Sequence, residues 1–297
     1  MKSVMKALDY FFFCRPILIL AAWTVILLGA VRHRNLSLVW LLIAYSCLLG
    51  AAFILNQLRD LESDRINDKL PHLSRGVIQT GEARTLAWLL LSGALLFSLR
   101  AGLYHFAGML LFLLITTWAY NQAPLRLKER FLAGPASLGV AAVLLFLQGN
   151  GFRYVEWPDL AAIWLAVTSI CLLTEIPDRE GDRQTGRRTV AVVSGVSVTL
   201  GLATALMGAS SLFAWWGHFH HLALPAVCST LLQLRLLTRR HCQTGEVNLA
   251  VRLSLLLLGL TVAVAFHWFG LLILACYLVA RKYYWQRFRR HYPSFTE

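Results

Sequence analysis

Ten apolar stretches, near residues 16–33, 37–55, 85–101, 104–120, 132–149, 160–175, 189–212, 219–238, 247–266 and 268–281, leave this 297-residue chain little choice of fold. A helix needs roughly 17 to 25 apolar residues to cross about 30 Å of hydrocarbon, and these runs have about that length. Within lipid the backbone must satisfy its own hydrogen bonds, and the runs lack the short alternating pattern of a membrane barrel. The predicted fold is therefore all-α, a polytopic membrane bundle of ten transmembrane helices, with nine as the nearest alternative. Only 14% of the residues are charged, against about 25% in soluble domains.

Lysine and arginine are enriched in cytoplasmic loops, which orients the bundle. With the N-terminus inside, the outer loops keep only Arg32, Arg34, Arg100 and Arg153, and Arg252 falls within a helix. All other basic residues then lie on the inner side. Ten helices also keep the basic run Arg281–Arg290 inside, where nine would place it outside. The net charge of +13 is thus accounted for by topology and by attraction to anionic membrane lipids, with no nucleic-acid partner required.

Acidic residues are scarce, 15 in all, yet eight of them (Asp60, Glu62, Asp64, Asp68, Glu175, Asp178, Glu180 and Asp182) sit in two short clusters, each following an apolar run. Both clusters land on the cytoplasmic side, at the inner ends of even-numbered helices. On a helix, residues four apart share a face. Asn56, Asp60 and Asp64 therefore form one stripe, and Asp178 and Asp182 a second. Such carboxylate stripes repel themselves unless cations lie between them, and oxygen ligands of this kind favour Mg²⁺. Because Mg²⁺ leaves coordination positions for phosphate oxygens, the natural partner is a diphosphate. Glu62, Asp68 and Glu180 lie off the stripes and read as solvated residues.

Basic groups on the same face complete a diphosphate site: Arg126 and Lys128 in the segment Tyr120–Lys128, Arg75 in the first inner loop, and Arg187 and Arg188 after the second cluster. Pro177 is expected to break the sixth helix, Gly181 and Gly186 to shape the loop after it, and Thr189 to cap the next. His72 lies in the first inner loop, where a phosphate contact is only a minority reading. Trp215, Trp216 and Trp268 read as an interfacial belt, with Tyr283, Tyr284 and Trp285 as its inner counterpart. Tyr120 alone among the aromatics sits where a ring face would stabilise a carbocation. The six cysteines occur singly and read as packing residues, and no P-loop, dinucleotide fingerprint, nucleophile elbow or HExxH is present.

These residues resemble the UbiA superfamily of intramembrane prenyltransferases. The family's first signature, NDxxDxxxD, corresponds to Asn56–Asp64, with Gln57 in place of the usual Asp. Its second, D-x-E-G-D-x-x-x-G-x-x-T, corresponds to Asp178–Thr189. The segment Tyr120–Lys128 is similar to the family's Y-S-x-x-P-x-R-L-K loop, and Arg15–Pro16 to the Arg-Pro before its first span. The loop Lys69–Gly76 departs from the common R-P-I-P-S-G form, and Glu175 stands where many members have an additional Asp.

The resemblance implies one integral-membrane domain over residues 1–297, a helical bundle around a central cavity, Mg²⁺ as cofactor and an allylic prenyl diphosphate as donor. Asn56, Asp60, Asp64, Asp178 and Asp182 become metal residues, the four aspartates being catalytic. Tyr120, Arg126, Lys128, Arg75 and Arg188 become substrate-binding residues. The acceptor is a small lipid-soluble molecule, expected to be aromatic, and the membrane is a bacterial or archaeal cytoplasmic membrane with the active site facing inward. Two alternatives stay open, a membrane terpene cyclase that ionises the same donor and, more distantly, a secondary transporter that uses buried acids.

Overall fold

The computed structural model describes residues 2–33, 37–59, 61, 71–239 and 243–293, and the regular structure among them is helical. The helices run in order α1 (Lys2–Phe13), α2 (Pro16–Ala30), α3 (Leu38–Arg59), α4 (Pro71–Ser74), α5 (Thr80–Ala101) and α6 (Leu103–Leu113). They continue with α7 (Ala133–Gly149), α8 (Trp157–Gln184), α9 (Val190–Trp216), α10 (His220–Leu237), α11 (Thr244–Ala265) and α12 (His267–Phe288). Every apolar stretch picked out in the sequence is a helix, α2, α3 and α5 through α12. Five of them, α3, α5, α8, α9 and α11, are each long and apolar enough to cross a membrane, and a sixth span results if α1 and α2 are joined across their 50° bend. The chain is an integral, multi-pass membrane protein.

The helices group into two compact units. The first comprises residues 1–23, 34–107 and 268–294. In it α3 packs along α5, and Trp40 stacks on Phe97 with ring centres 6.0 Å apart. Phe13, Ile54, Leu73, Ile78, Ala83 and Ala87 form one buried cluster, and Phe12, Ala280, Tyr283, Tyr284 and Phe288 form another. Tyr283 and Tyr284 are each only 3% exposed, so they are not interfacial belt residues; Trp285, at 42%, is exposed. The reason is helical phase: α12 turns the two tyrosines against α1, whose Phe12 stacks on Tyr283 at 4.3 Å.

The second unit comprises residues 24–33 and 108–267. Here α8 is the central element, packed against α7, α9 and α11. Ser169 Oγ donates to the Ala203 carbonyl and Ser210 Oγ to that of Ala162, both at 2.7 Å, pinning α8 to α9. Such bonds in a membrane are worth roughly 0.6 kcal/mol each. Glycine sets the closest approach. A Cβ at Gly149 would collide with the Ile26 carbonyl, and one at Gly139 with Thr168 and Trp164.

One tetrapeptide starts a helix in each unit. Gln79–Thr80–Gly81–Glu82 opens α5 and Gln243–Thr244–Gly245–Glu246 opens α11, each as a capping box. The glutamate reaches back to the N-cap backbone N–H, at 3.0 Å from Gln79 and 3.4 Å from Gln243. Each glutamate also holds a cation of its own unit, Lys6 at 2.9 Å in the first and Arg239 in the second.

Candidate active site

The second acidic cluster, Glu175–Asp182, is helical throughout. Pro177 does not end the helix: α8 runs through it to Gln184, so Asp178 and Asp182 occupy successive turns of one continuous element. A proline interior to a helix removes one backbone bond, at about 3 kcal/mol. Packing on the near side by the buried Leu172, Leu173 and Ile176 offsets that cost, and a tie on the far side helps, because Arg187 Nη1 lies 3.0 Å from Asp182 Oδ1 and its N–H donates to the Asp182 carbonyl. The helix stops instead at Gly186, whose φ of +74° disfavours any residue with a Cβ. Asp178 is exposed and Asp182 buried.

Thr189 occupies the cap position of α9, as expected, but its hydroxyl accepts nothing from the helix. Glu175 does that work from α8: its Oε2 accepts the N–H groups of Val190 at 2.9 Å and Ala191 at 3.4 Å. A carboxylate at a helix N-terminus meets both the orphan donors and the positive end of the dipole. Glu175 therefore fixes the loop that carries Arg187 and Arg188 onto the helix that carries Asp178 and Asp182.

The segment Tyr120–Lys128 belongs to the same unit. A π-helical turn, Leu114–Ala119, extends α6 and delivers Tyr120, whose electrostatic neighbours are Cys171, Glu175, Arg187 and Asp182. Arg126 takes a left-handed conformation (φ 43°, ψ 51°) and caps a short 3₁₀ turn, Leu127–Glu129. Arg130 Nη2 staples the loop by donating to the Pro124 carbonyl at 3.0 Å. Two contacts then seat it. Gly134 at the start of α7 lets Lys128 approach closely, and the Arg188 N–H donates to the Glu129 carbonyl at 3.1 Å. That last bond joins the loop bearing Arg126 and Lys128 to the loop bearing Arg187 and Arg188.

In the first unit, Asn56 is exposed near the end of α3. Asp60 and Asp64, with residues 62–70 generally, lie outside the described residues. Gln57, the departure from the family motif, is 3% exposed and faces the other way; its Nε2 donates to the carbonyls of Phe13 at 3.2 Å and Phe53 at 3.1 Å. It ties α3 to α1, a job an aspartate lacks the N–H to do. Arg75 is exposed, with its guanidinium 5.9 Å from the Phe288 ring centre.

His72 is not a phosphate contact. It is fully buried among Phe13, Tyr284 and Phe288, because α4 tucks its side chain into the core of the first unit. Its Nε2 lies 3.0 Å from the Tyr283 hydroxyl, which gives its one proton to Asp9 Oδ1 at 2.6 Å. The imidazole must therefore be the donor to Tyr283, and Nδ1 is left without a hydrogen-bond partner among the described residues. Burial pushes its pKa down to about 4; Asp9 opposes the shift, while Arg287 and Arg15 reinforce it. The unfolded chain thus takes up this proton near pH 6.5 and the folded one only near 4, so stability falls as pH drops through that window. The expected loss is about 3 kcal/mol. Thermal unfolding in detergent against pH checks it, and His72→Phe should flatten that part of the profile.

The carboxylates fit Mg²⁺. Asp178 and Asp182 offer hard oxygen donors one turn apart, and Mg²⁺ binds through one or two carboxylates plus substrate phosphates. Among the described residues no three His, Cys, Asp or Glu side chains form a metal-holding group by themselves. Basic groups flank the pair in the same unit.

Comparison with known proteins identifies the family and the fold. The chain is 29% identical over 255 residues to the homogentisate phytyltransferase of Synechocystis sp., covering 77% of this chain and 81% of that protein. It is 30% identical over 225 residues to the digeranylgeranylglyceryl phosphate synthase of Methanoculleus marisnigri, covering 71% of this chain and 78% of that one. In fold it matches a UbiA homolog from Archaeoglobus fulgidus, solved with DMAPP and Mg²⁺, with a TM-score of 0.72 at 19% identity over 88% of this chain and 99% of the other. The UbiA prenyltransferase family model matches residues 17–248, and the chain belongs to that family.

Proposed function

We propose that this enzyme transfers an isoprenyl group from an allylic prenyl diphosphate to an aromatic or other lipid-soluble acceptor, with Mg²⁺ as cofactor and the site on the cytoplasmic side. The observation that carries this reading is the backbone bond from Arg188 to Glu129. It sets two basic loops, Arg126–Lys128 and Arg187–Arg188, beside the helix end that presents Asp178 and Asp182. Acids to hold divalent metal and cations to hold phosphate oxygens are the two components a diphosphate leaving group requires.

Asp178 and Asp182 hold metal in the second motif, and Asn56, Asp60 and Asp64 in the first. Mg²⁺, when bound, neutralises charge that develops on the leaving diphosphate. Lys128, Arg126 and Arg188 bind diphosphate oxygens from the loops, and Arg75 does so from the first inner loop. The donor's C1–O bond breaks with its electron pair passing to diphosphate. The allylic cation, steadied by the ring face of Tyr120, takes an electron pair from the acceptor, which then loses a proton.

The test is diphosphate release by purified protein in lipid, with geranyl, farnesyl and geranylgeranyl diphosphates and a panel of aromatic acceptors. Release that requires both Mg²⁺ and an acceptor, and stops with EDTA, is the expected result. Acceptor-independent release with a cyclic hydrocarbon product would mark a cyclase instead, and no release with any donor or acceptor would count against prenyl transfer.

A further inference from the structure

On α12 one exposed stripe changes character along its length. Leu271, Leu274 and Leu278 are exposed and share it with Lys282 and Trp285, all five within about 80° of one another at 100° per residue. Arg281 stands at its edge. The buried Ala280, Tyr283 and Tyr284 occupy the opposite side of the helix, in one cluster with Phe12 of α1. The outward face therefore passes directly from leucines into cations. From Leu271 to Lys282 it measures about 16 Å, close to half of the roughly 30 Å of a bilayer's hydrocarbon.

The polar end of the stripe carries charge that the unit does not neutralise. Of the unit's described carboxylates, Asp9 is taken by Arg287 and Glu82 by Lys6. Arg281, Lys282 and Arg289 are thus left without an acid partner among the described residues; Arg281 Nη1 lies 3.4 Å from the neutral Tyr277 hydroxyl. Trp285 sits among these cations. Arg289, in a left-handed conformation (φ 57°) just past the helix, brings its guanidinium to 5.6 Å from the Trp285 ring centre. The His291 ring stacks on the same indole at 4.5 Å. A tryptophan with basic neighbours at the end of an apolar helix face suits the headgroup layer of a membrane.

The two ends of the stripe call for one molecule with two properties. A neutral lipid would suit the leucines and leave the cations unmatched, whereas a soluble anion would do the reverse. A second copy of this chain brings 28 basic residues against 15 acidic ones, the wrong sign for this face. We propose that the exposed face of α12 binds an anionic phospholipid, its phosphate held by Arg281, Lys282 and Arg289 and its acyl chain lying along Leu278, Leu274 and Leu271. The site lies within the first unit and is independent of the prenyl-transfer reading.

The test uses the full-length protein in detergent, its thermal unfolding followed during titration with dioleoyl phosphatidylglycerol or with dioleoyl phosphatidylcholine. Phosphatidylglycerol is expected to raise Tm where phosphatidylcholine does not, and its effect should weaken as salt rises. Each basic residue beside an anionic surface is worth about fivefold in affinity. The triple variant Arg281→Gln, Lys282→Gln, Arg289→Gln should therefore need about 100-fold more phosphatidylglycerol for the same stabilisation. All three side chains are exposed, so the fold should be kept. A matched variant, Arg84→Gln, Arg153→Gln, Arg235→Gln, removes as much charge from other exposed positions and should stay within about twofold of wild type. Equal stabilisation by both lipids, an unchanged requirement in the first triple variant, or an equal loss in the matched one overturns the proposal. So does stabilisation by glycerol 3-phosphate at the same concentration as the lipid, which would mark a site for a free anion. Native mass spectrometry showing paired protein copies with no phosphatidylglycerol retained would mark a protein interface and overturn it too.

Discussion

Asp178→Ala is expected to lower kcat by about two to three orders of magnitude, the range seen when one preorganised charge-stabilising group is removed. Its fold should be untouched, because Asp178 is exposed on the last turns of α8, and exposed substitutions usually stay within about 0.5 kcal/mol. That separation makes it the cleanest probe of the site. Asp182 is less clean: it is buried against Arg187, so its removal mixes lost chemistry with an orphaned guanidinium. Steady-state diphosphate release and thermal unfolding on the same preparation decide the matter. Activity near wild type in Asp178→Ala would remove the second motif from the reaction.

Asp9→Ala is expected to cost about 3–5 kcal/mol of stability, the usual penalty for leaving one member of a buried ion pair without the other. Asp9 is 1% exposed. It accepts the Tyr283 hydroxyl at 2.6 Å and both Nε and Nη2 of Arg287 at 3.0 and 3.1 Å. Removing it leaves a phenol and a guanidinium unsatisfied, and takes away the group that receives the proton of Tyr283 and so sets His72 as a donor. Arg287 keeps a side-chain exposure of 34%, and residual hydration places the loss towards the lower end of the range. The double variant Asp9→Ala, Arg287→Met should recover most of it. A double-mutant cycle by thermal unfolding measures the coupling, and a single-variant loss below about 1 kcal/mol would show that the network adds little.

What the sequence determined by itself was the set of local properties. Each of the ten apolar runs became a helix because hydropathy and backbone satisfaction in lipid act within a single segment. The pairing of Asp178 with Asp182 was equally local, an i,i+4 relation on one helix, and the run Tyr120–Lys128 was visible because its pattern of residues is contiguous. Hydropathy did not reveal that α8 carries on through Pro177, since the polar turn that ends the apolar run is still held helical by contacts on either side.

Only tertiary structure decided which polar residues are structural. Gln57 beside Asn56, Glu175 beside the second motif, and His72 in a charged loop all read by position as site residues or as departures from a motif. Their partners are distant in sequence: Phe13 for Gln57, Val190 for Glu175, Tyr283 for His72. The same holds in reverse for Arg252, which a charge count merely places in a span, and whose Nη1 is buried without a hydrogen-bond partner among the described residues. The physical reason is that spans and stripes are set by the chain's immediate neighbours, whereas a hydrogen-bond partner or its absence depends on which helix ends the fold brings together.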